Sequence, residues 1–295
     1  IYRKTGCKDQ FFSWTNIKKR VYFRKKDVDN MLKRIISGIL LFVVLIPIVI
    51  SNGKPFLIMI GVLSLLALKE IFDLKKSRDK YPSGIEFAAM ISMFLLIFYE
   101  YEVHGETNGV SSVLLSLLSI VFLLPTMLTY KNTNYETKDA FYLIGVLLFL
   151  STAFHQVIVL RNQNVWLLLY ILLISTITDI FAYLVGKLMG KKKIFPTISP
   201  NKTYAGTIGG VIFGTIIPTV FYALVISNEC ILEVAITSFI LSIISVFGDL
   251  LFSKIKRENN IKDFSDLIPG HGGILDRFDS FIFVVLAYTI IQRFI

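Results

Sequence analysis

Residues 231–252, ILEVAITSFILSIISVFGDLLF, run directly into residues 253–280, SKIKRENNIKDFSDLIPGHGGILDRFDS. The first stretch is an apolar run within the roughly 17 to 25 residues a helix needs to cross a bilayer. It is continuous rather than alternating, so it reads as a spanning helix that satisfies its own backbone groups, not as a barrel strand. The second stretch sets five Lys or Arg, as many acidic side chains and a Gly-His-Gly-Gly turn against the end of that helix. Lys256, Arg257, Lys262 and Arg277 supply cationic donors, and Asp276 and Asp279 supply hard carboxylate oxygens. Such a mixture suits metal ions and phosphate oxygens held together.

Eight further apolar runs lie at 35–51, 55–74, 84–99, 110–130, 140–160, 165–186, 206–227 and 278–295. With 54% hydrophobic residues and a mean hydropathy of +0.67, the chain is too apolar for an ordinary soluble domain. It reads as all-α, a polytopic integral membrane protein with about nine transmembrane helices. A formal charge of +10 could suggest nucleic acid, but the placement of the charge argues against it. With the N-terminus inside, the start of the chain to Arg34 and the loops after the second, fourth, sixth and eighth spans hold 27 of the 31 Lys plus Arg. Lys54, Arg161 and Arg293 fall outside, and Lys69 falls within a span. Positive residues gather on the cytoplasmic side of membrane proteins, so the pattern gives an N-in, C-out orientation. Cys7 and Cys230 then lie on opposite sides, and no disulfide framework is implied.

The chain divides into three parts. Residues 1–30 are a basic cytoplasmic extension, expected to be dispensable for activity, since Met31 opens a natural membrane-protein start, MLKRIISGILLFVV. Residues 31–163 form a scaffold of five spans with few ionisable groups. Residues 164–295, the last four spans and their loops, carry most of the distinctive chemistry. No internal repeat is visible.

Within the sixth span, Asp179 costs about 2.5–3.5 kcal/mol to insert, so it should face the bundle interior or a wet cavity, as a functional group or as a partner to a neighbouring helix. The next loop holds Lys191, Lys192 and Lys193, which can be a positive-inside anchor alone. It also holds Ser199-Pro200-Asn201-Lys202-Thr203, a turn that presents a lysine and hydroxyls just before a helix N-terminus, where phosphates bind well. Gly206, Gly210 and Gly214 recur every four residues, a spacing more typical of helix packing than of ligand binding. Asp249 lies near the cytoplasmic end of its span, as either an interfacial charge or a ligand. Asp276 and Asp279, three apart, share a helix face if the helix has begun there, with Cβ atoms about 5–6 Å apart. Asp276 could equally be a helix cap. His271 reads as a general base or as a turn residue holding backbone, and Gly270, Gly272 and Gly273 would let backbone N–H groups approach an anion.

Taken together, Ser253, Ile255, Lys256-Arg257, Lys262-Asp263, Ser265, Ile268-Pro269, His271-Gly272-Gly273, Asp276-Arg277 and Asp279 resemble, position by position, the signature of phosphatidate cytidylyltransferases, also called CDP-diacylglycerol synthases. Upstream, Asp179, Ala182-Tyr183, Gly186-Lys187, Gly190-Lys191, Pro196, Ser199-Pro200, Lys202-Thr203, Gly206 and Gly209-Gly210 look like that family's second block. The resemblance covers the last four spans strongly and the first half by topology only. Two departures stand out: Ala205 and Phe252 occupy positions where the family usually carries an acidic residue.

The resemblance implies transfer of a cytidylyl group from CTP to phosphatidic acid, giving CDP-diacylglycerol and pyrophosphate. It implies metal binding, expected to be Mg²⁺ as one or two ions, by Asp249, Asp276 and Asp279, with Asp179 as a further ligand or outer partner. Lys202, Lys256, Arg257, Lys262 and Arg277 would hold phosphates, while Ser199, Thr203, Gly272, Gly273 and the turn at His271 would close on the nucleotide. The expected setting is multi-pass in the cell membrane with the site facing the cytoplasm, partnered by CTP and by phosphatidic acid in the leaflet, and compatible with a homodimer. A CTP-dependent lipid kinase, a secondary transporter and a non-enzymatic scaffold are the competing readings. The kinase would release CDP, and the transporter would favour midplane charges.

Overall fold

A computed structural model describes residues 47–51, 53–75, 81–104, 112–128, 135–227, 230–268 and 272–294. Within them the chain forms α1 (Lys54–Lys75), α2 (Ser83–His104), α3 (Ser112–Leu128), α4 (Thr137–Gln163), α5 (Val165–Met189), α6 (Tyr204–Val225), α7 (Ile231–Glu258) and α8 (Leu275–Ile291). Among the described residues β-structure is limited to two isolated bridges, Lys193 with Thr203 and Ile268 with Gly272. Five helices, α1, α4, α5, α6 and α7, are long and apolar enough to cross a membrane, and α2 and α3 hold shorter apolar segments. The architecture is that of a helical membrane protein. The run at 35–51 falls mostly outside the described residues, as do residues 1–30 with Cys7. Each of the other eight runs coincides with a helix.

Boundaries differ from the hydropathy reading by up to six residues, and two of them bear on the site. Helix α7 continues six residues beyond Phe252, and α8 begins at Leu275 rather than Phe278. The extension of α7 is polar yet favourable, because Lys256 and Arg257 lie in its last turn against the negative end of the helix dipole. Lys254 also reaches Glu258 one turn on, at 3.6 Å. Asp276 and Asp279 therefore both stand on a helix.

Helix α4 lies at the centre of the bundle, packed on α1, α2, α3, α5 and α8. Its buried positions, among them Leu143, Leu147, Leu150, Phe154, His155 and Ile158, leave little polar face, as expected of a helix surrounded by others. Asn164 closes α4 through its backbone N–H to Leu160 O, and its side chain caps α5 at Trp166 N, so one residue reverses the chain. Arg161, buried at the end of α4, donates to Val49 O and Ile50 O at 3.1 and 3.0 Å. By contrast, Ile208, Ile212, Ile216, Val220 and Leu224 form an exposed apolar stripe along α6, a face suited to acyl chains.

The glycine stripe is a packing seam. A Cβ at Gly206 would lie 2.4 Å from Ala182 O, one at Gly210 2.7 Å from Thr178 O, and one at Gly214 would collide with Thr178 Oγ1. Only hydrogen fits where the backbones of α5 and α6 approach so closely.

Candidate active site

The site is built where α7 crosses α8. A Cβ at Gly248 would sit 2.9 Å from the Phe283 ring and 3.1 Å from Asp279 O, so the missing side chain brings the two backbones together at the level of Asp249. Asp179, on α5, Asp249 and Asp279 lie within electrostatic reach of one another. Ser280 Oγ donates to Asp179 Oδ2 at 2.9 Å and pairs with Ser175 Oγ at 2.8 Å, while Ser280 N donates to Asp279 Oδ1 at 2.7 Å. The α5–α6 loop reaches in from the side. Its backbone pairs Ile194 N with Lys202 O and Tyr204 N with Lys192 O, and this pairing accompanies an ion pair of Lys202 Nζ with Asp249 Oδ2 at 2.5 Å. Arg257 ties the same loop to the end of α7 by donating to Ile198 O and Ile261 O.

Asp276 has partners of its own. Its Oδ1 pairs with Lys256 Nζ at 2.7 Å, and its Oδ2 accepts from Phe264 N at 2.7 Å and Gly273 N at 2.9 Å. In the first turn of α8 the side chain leans back toward the helix N-terminus and so meets the loop that leads into it. Asp179 thus joins Asp249 and Asp279 in one electrostatic group, and Asp276 is held by Lys256, Phe264 N and Gly273 N.

Glu70, on α1, is a participant that sequence reasoning missed. It is 4% exposed, and its Oε1 accepts from Ser265 Oγ at 2.6 Å and Ile274 N at 2.8 Å, while its Oε2 accepts from Leu275 N at 2.8 Å. The two glycines have reasons of their own. Gly272 has φ +84°, and a Cβ there would lie 2.9 Å from Asp276 Oδ2; a Cβ at Gly273 would strike Glu70 Oε1 at 2.4 Å. Both let the chain close over carboxylates. Thr203 likewise is buried and caps α6, its Oγ1 accepting from Gly206 N at 3.2 Å. Its hydroxyl also fills the space that a Cβ on Gly190 would take.

Lys262 and Arg277 are exposed, and Ser199 is half-buried at the turn that accepts from Lys202 N. His271 lies outside the described residues. Phe252, one of the two departures, is buried among Phe149, Phe264 and Phe283, with ring centroids 6.5, 5.8 and 6.2 Å away. The aromatic contact accounts for Phe at that position. Ala205 lies in the first turn of α6, where an acidic residue would favour the helix dipole.

Among the described residues no three His, Cys, Asp or Glu side chains converge as a finished metal cage. The donors are nonetheless hard carboxylate oxygens, the chemical type that divalent cations such as Mg²⁺ take. Asp179, Asp249 and Asp279 bring three carboxylates into one poorly solvated region, with Lys202 on Asp249 and Lys256 close enough to act on Asp279. Oxygen donors crowded in this way are the chemistry that Mg²⁺ selects.

Long apolar helices with lysine–aspartate pairs linking the α5–α6 loop, α7 and the start of α8 define a membrane protein with a charged centre suited to phosphate chemistry. Comparison with known proteins narrows the class: residues 32–295 match the profile described as the cytidylyltransferase family. The chain is 34% identical over 259 residues to a phosphatidate cytidylyltransferase of Bacillus subtilis, covering 87% of this chain and 95% of that protein. Proteins of the same name from Staphylococcus haemolyticus and Staphylococcus aureus are each 33% identical, covering 85% of this chain and 95% of theirs. The chain belongs to the cytidylyltransferase family.

Proposed function

We propose that this chain is a nucleotidyltransferase that joins CTP and phosphatidic acid into CDP-diacylglycerol and pyrophosphate. The observation that carries the reading is the pair of lysine–aspartate contacts made along α7, Asp249 with Lys202 of the α5–α6 loop and Lys256 with Asp276 of α8. A phosphate oxygen of the lipid is already a nucleophile, so no Ser, Cys or His nucleophile is required. That oxygen attacks the α-phosphorus of CTP, the bond from the α-phosphorus to the bridging oxygen breaks, and pyrophosphate leaves with the bond's electron pair. The work left to the protein is to hold two polyanions together and to offset charge on the leaving group.

Lys202 and Lys256 are poised to exchange their carboxylate partners for phosphate oxygens, with Arg257, Lys262 and Arg277 around the loop. Ser199 and the glycine turn flanking His271 border the nucleotide. Asp249 and Asp279 would hold Mg²⁺, with Asp179 beside them. Asp276 would add Oδ1 once Lys256 turns from it to a phosphate, since its Oδ2 is engaged by two backbone N–H groups. Mg²⁺, when bound, neutralises phosphate charge and makes the α-phosphorus more electrophilic. The distribution of Lys and Arg supports N-in, C-out crossing, which puts both loops at the cytoplasmic face where CTP arrives while the lipid stays in its leaflet.

The test is incubation of detergent-solubilised protein with CTP, phosphatidic acid and Mg²⁺, measuring CDP-lipid and pyrophosphate together, with a chelator control. Equal yields of the two products are expected, abolished by chelation. Release of CDP with a phosphorylated lipid would instead establish a kinase.

A further inference from the structure

We infer that Glu70 is a positioning residue for the reaction, acting from the opposite half of the molecule as the N-terminal cap of α8; the inference rests on the proposed function above. Three donors converge on its buried carboxylate, Ser265 Oγ and the backbone N–H groups of Ile274 and Leu275, from positions 195 to 205 residues away in the chain. Ile274 is the N-cap residue of α8, and its own side chain offers no capping oxygen. The first N–H groups of a helix have no partner within the helix, and the helix dipole favours a negative charge at that end. Glu70 supplies both from α1.

The helix so capped carries Asp276 one residue, and Asp279 four residues, beyond Leu275. Ser265 lies on the segment that Asp276 holds through Phe264 N. Glu70 and Asp276 thus grip one loop from two sides, with Gly273 between them: its N–H goes to Asp276, and its missing side chain leaves room for Glu70. Glu70 sets where the carboxylates of α8 stand through the backbone N–H groups that begin the helix.

An amide in place of the carboxylate keeps one acceptor oxygen and turns a donor toward N–H groups. Glu70→Gln should therefore raise amide hydrogen exchange over residues 264–276 by about tenfold or more, the scale expected when charge-assisted hydrogen bonds are lost. It should raise the half-saturating Mg²⁺ concentration for turnover by a similar factor and leave KM for phosphatidic acid unchanged. Glu70→Asp, which keeps the charge on a shorter arm, should recover part of both effects. Gly273→Ala, which drives a methyl group into the carboxylate from the other side, should reproduce them, and it answers the question should Glu70→Gln fail to fold. Lys69→Gln, at the exposed neighbouring position, is the control expected to change neither.

Unchanged exchange at 264–276 in both Glu70→Gln and Gly273→Ala would overturn the inference. So would loss of folded protein with the Mg²⁺ requirement of the remainder unaltered. Failure of the wild-type protein to make CDP-lipid would overturn the functional reading instead, and the exchange comparison would still report on the cap.

Discussion

Lys256 and Asp276 show side-chain exposures of only 11% and 4%, so removing the lysine strands a carboxylate in a poorly solvated place. Lys256→Met is expected to lower stability by roughly 3–5 kcal/mol, read by thermal unfolding in detergent, because breaking a buried pair leaves its charge uncompensated. Asp279→Asn tests the other carboxylate group: in folded protein it should abolish CTP turnover, since an amide is a poor ligand for a hard cation. Near-normal turnover at limiting Mg²⁺ would take Asp279 out of the metal site. The aspartates and lysines were legible in the sequence because charge is conspicuous in so apolar a chain. Which aspartates meet was not legible, because it depends on the depth at which α7 crosses α8 at Gly248. Glu70 was hidden for a plainer reason: its partners are backbone N–H groups about two hundred positions away, and no residue type announces them.

Helices were read well where the physics is one-dimensional and less well where they end. Hydropathy stops α7 at Phe252 because Ser253–Glu258 is polar, yet a helix that leaves the apolar layer continues as long as its dipole, its ion pairs and the loop that Arg257 secures favour it. The glycine stripe on α6 is the opposite case, a four-residue spacing that foretold close packing and delivered it. Gly214→Ala should therefore destabilise the protein by about 1–3 kcal/mol, as overpacking does, because its methyl group would meet Thr178 Oγ1 and Ser242 Oγ. Gly145→Ala, in α4 with open space at its Cβ position, is expected to be neutral or to stabilise by up to about 1 kcal/mol. Paired melting curves of the two variants check both.

For the whole molecule, the proposed orientation makes a prediction about a native thiol. Cys230 is exposed in the turn between α6 and α7, which falls on the outer side of an N-in bundle. A membrane-impermeant maleimide should label it in intact cells carrying a Cys7→Ser background; labelling only after the cells are broken would reverse the topology. The tie of the first spans to the last through Glu70 and through the packing of α4 on α8 was not legible from the placement of charge. That tie has a consequence for biogenesis. Glu70 leaves the ribosome 204 residues ahead of Ile274, an interval of roughly 10 to 40 s at ordinary translation rates. Throughout it an acidic group near the end of a newly inserted helix must wait for partners that have not been made. A chaperone or insertase that shields such a group would act on this chain in that interval, and a ribosome pause before codon 274 would lengthen the exposure.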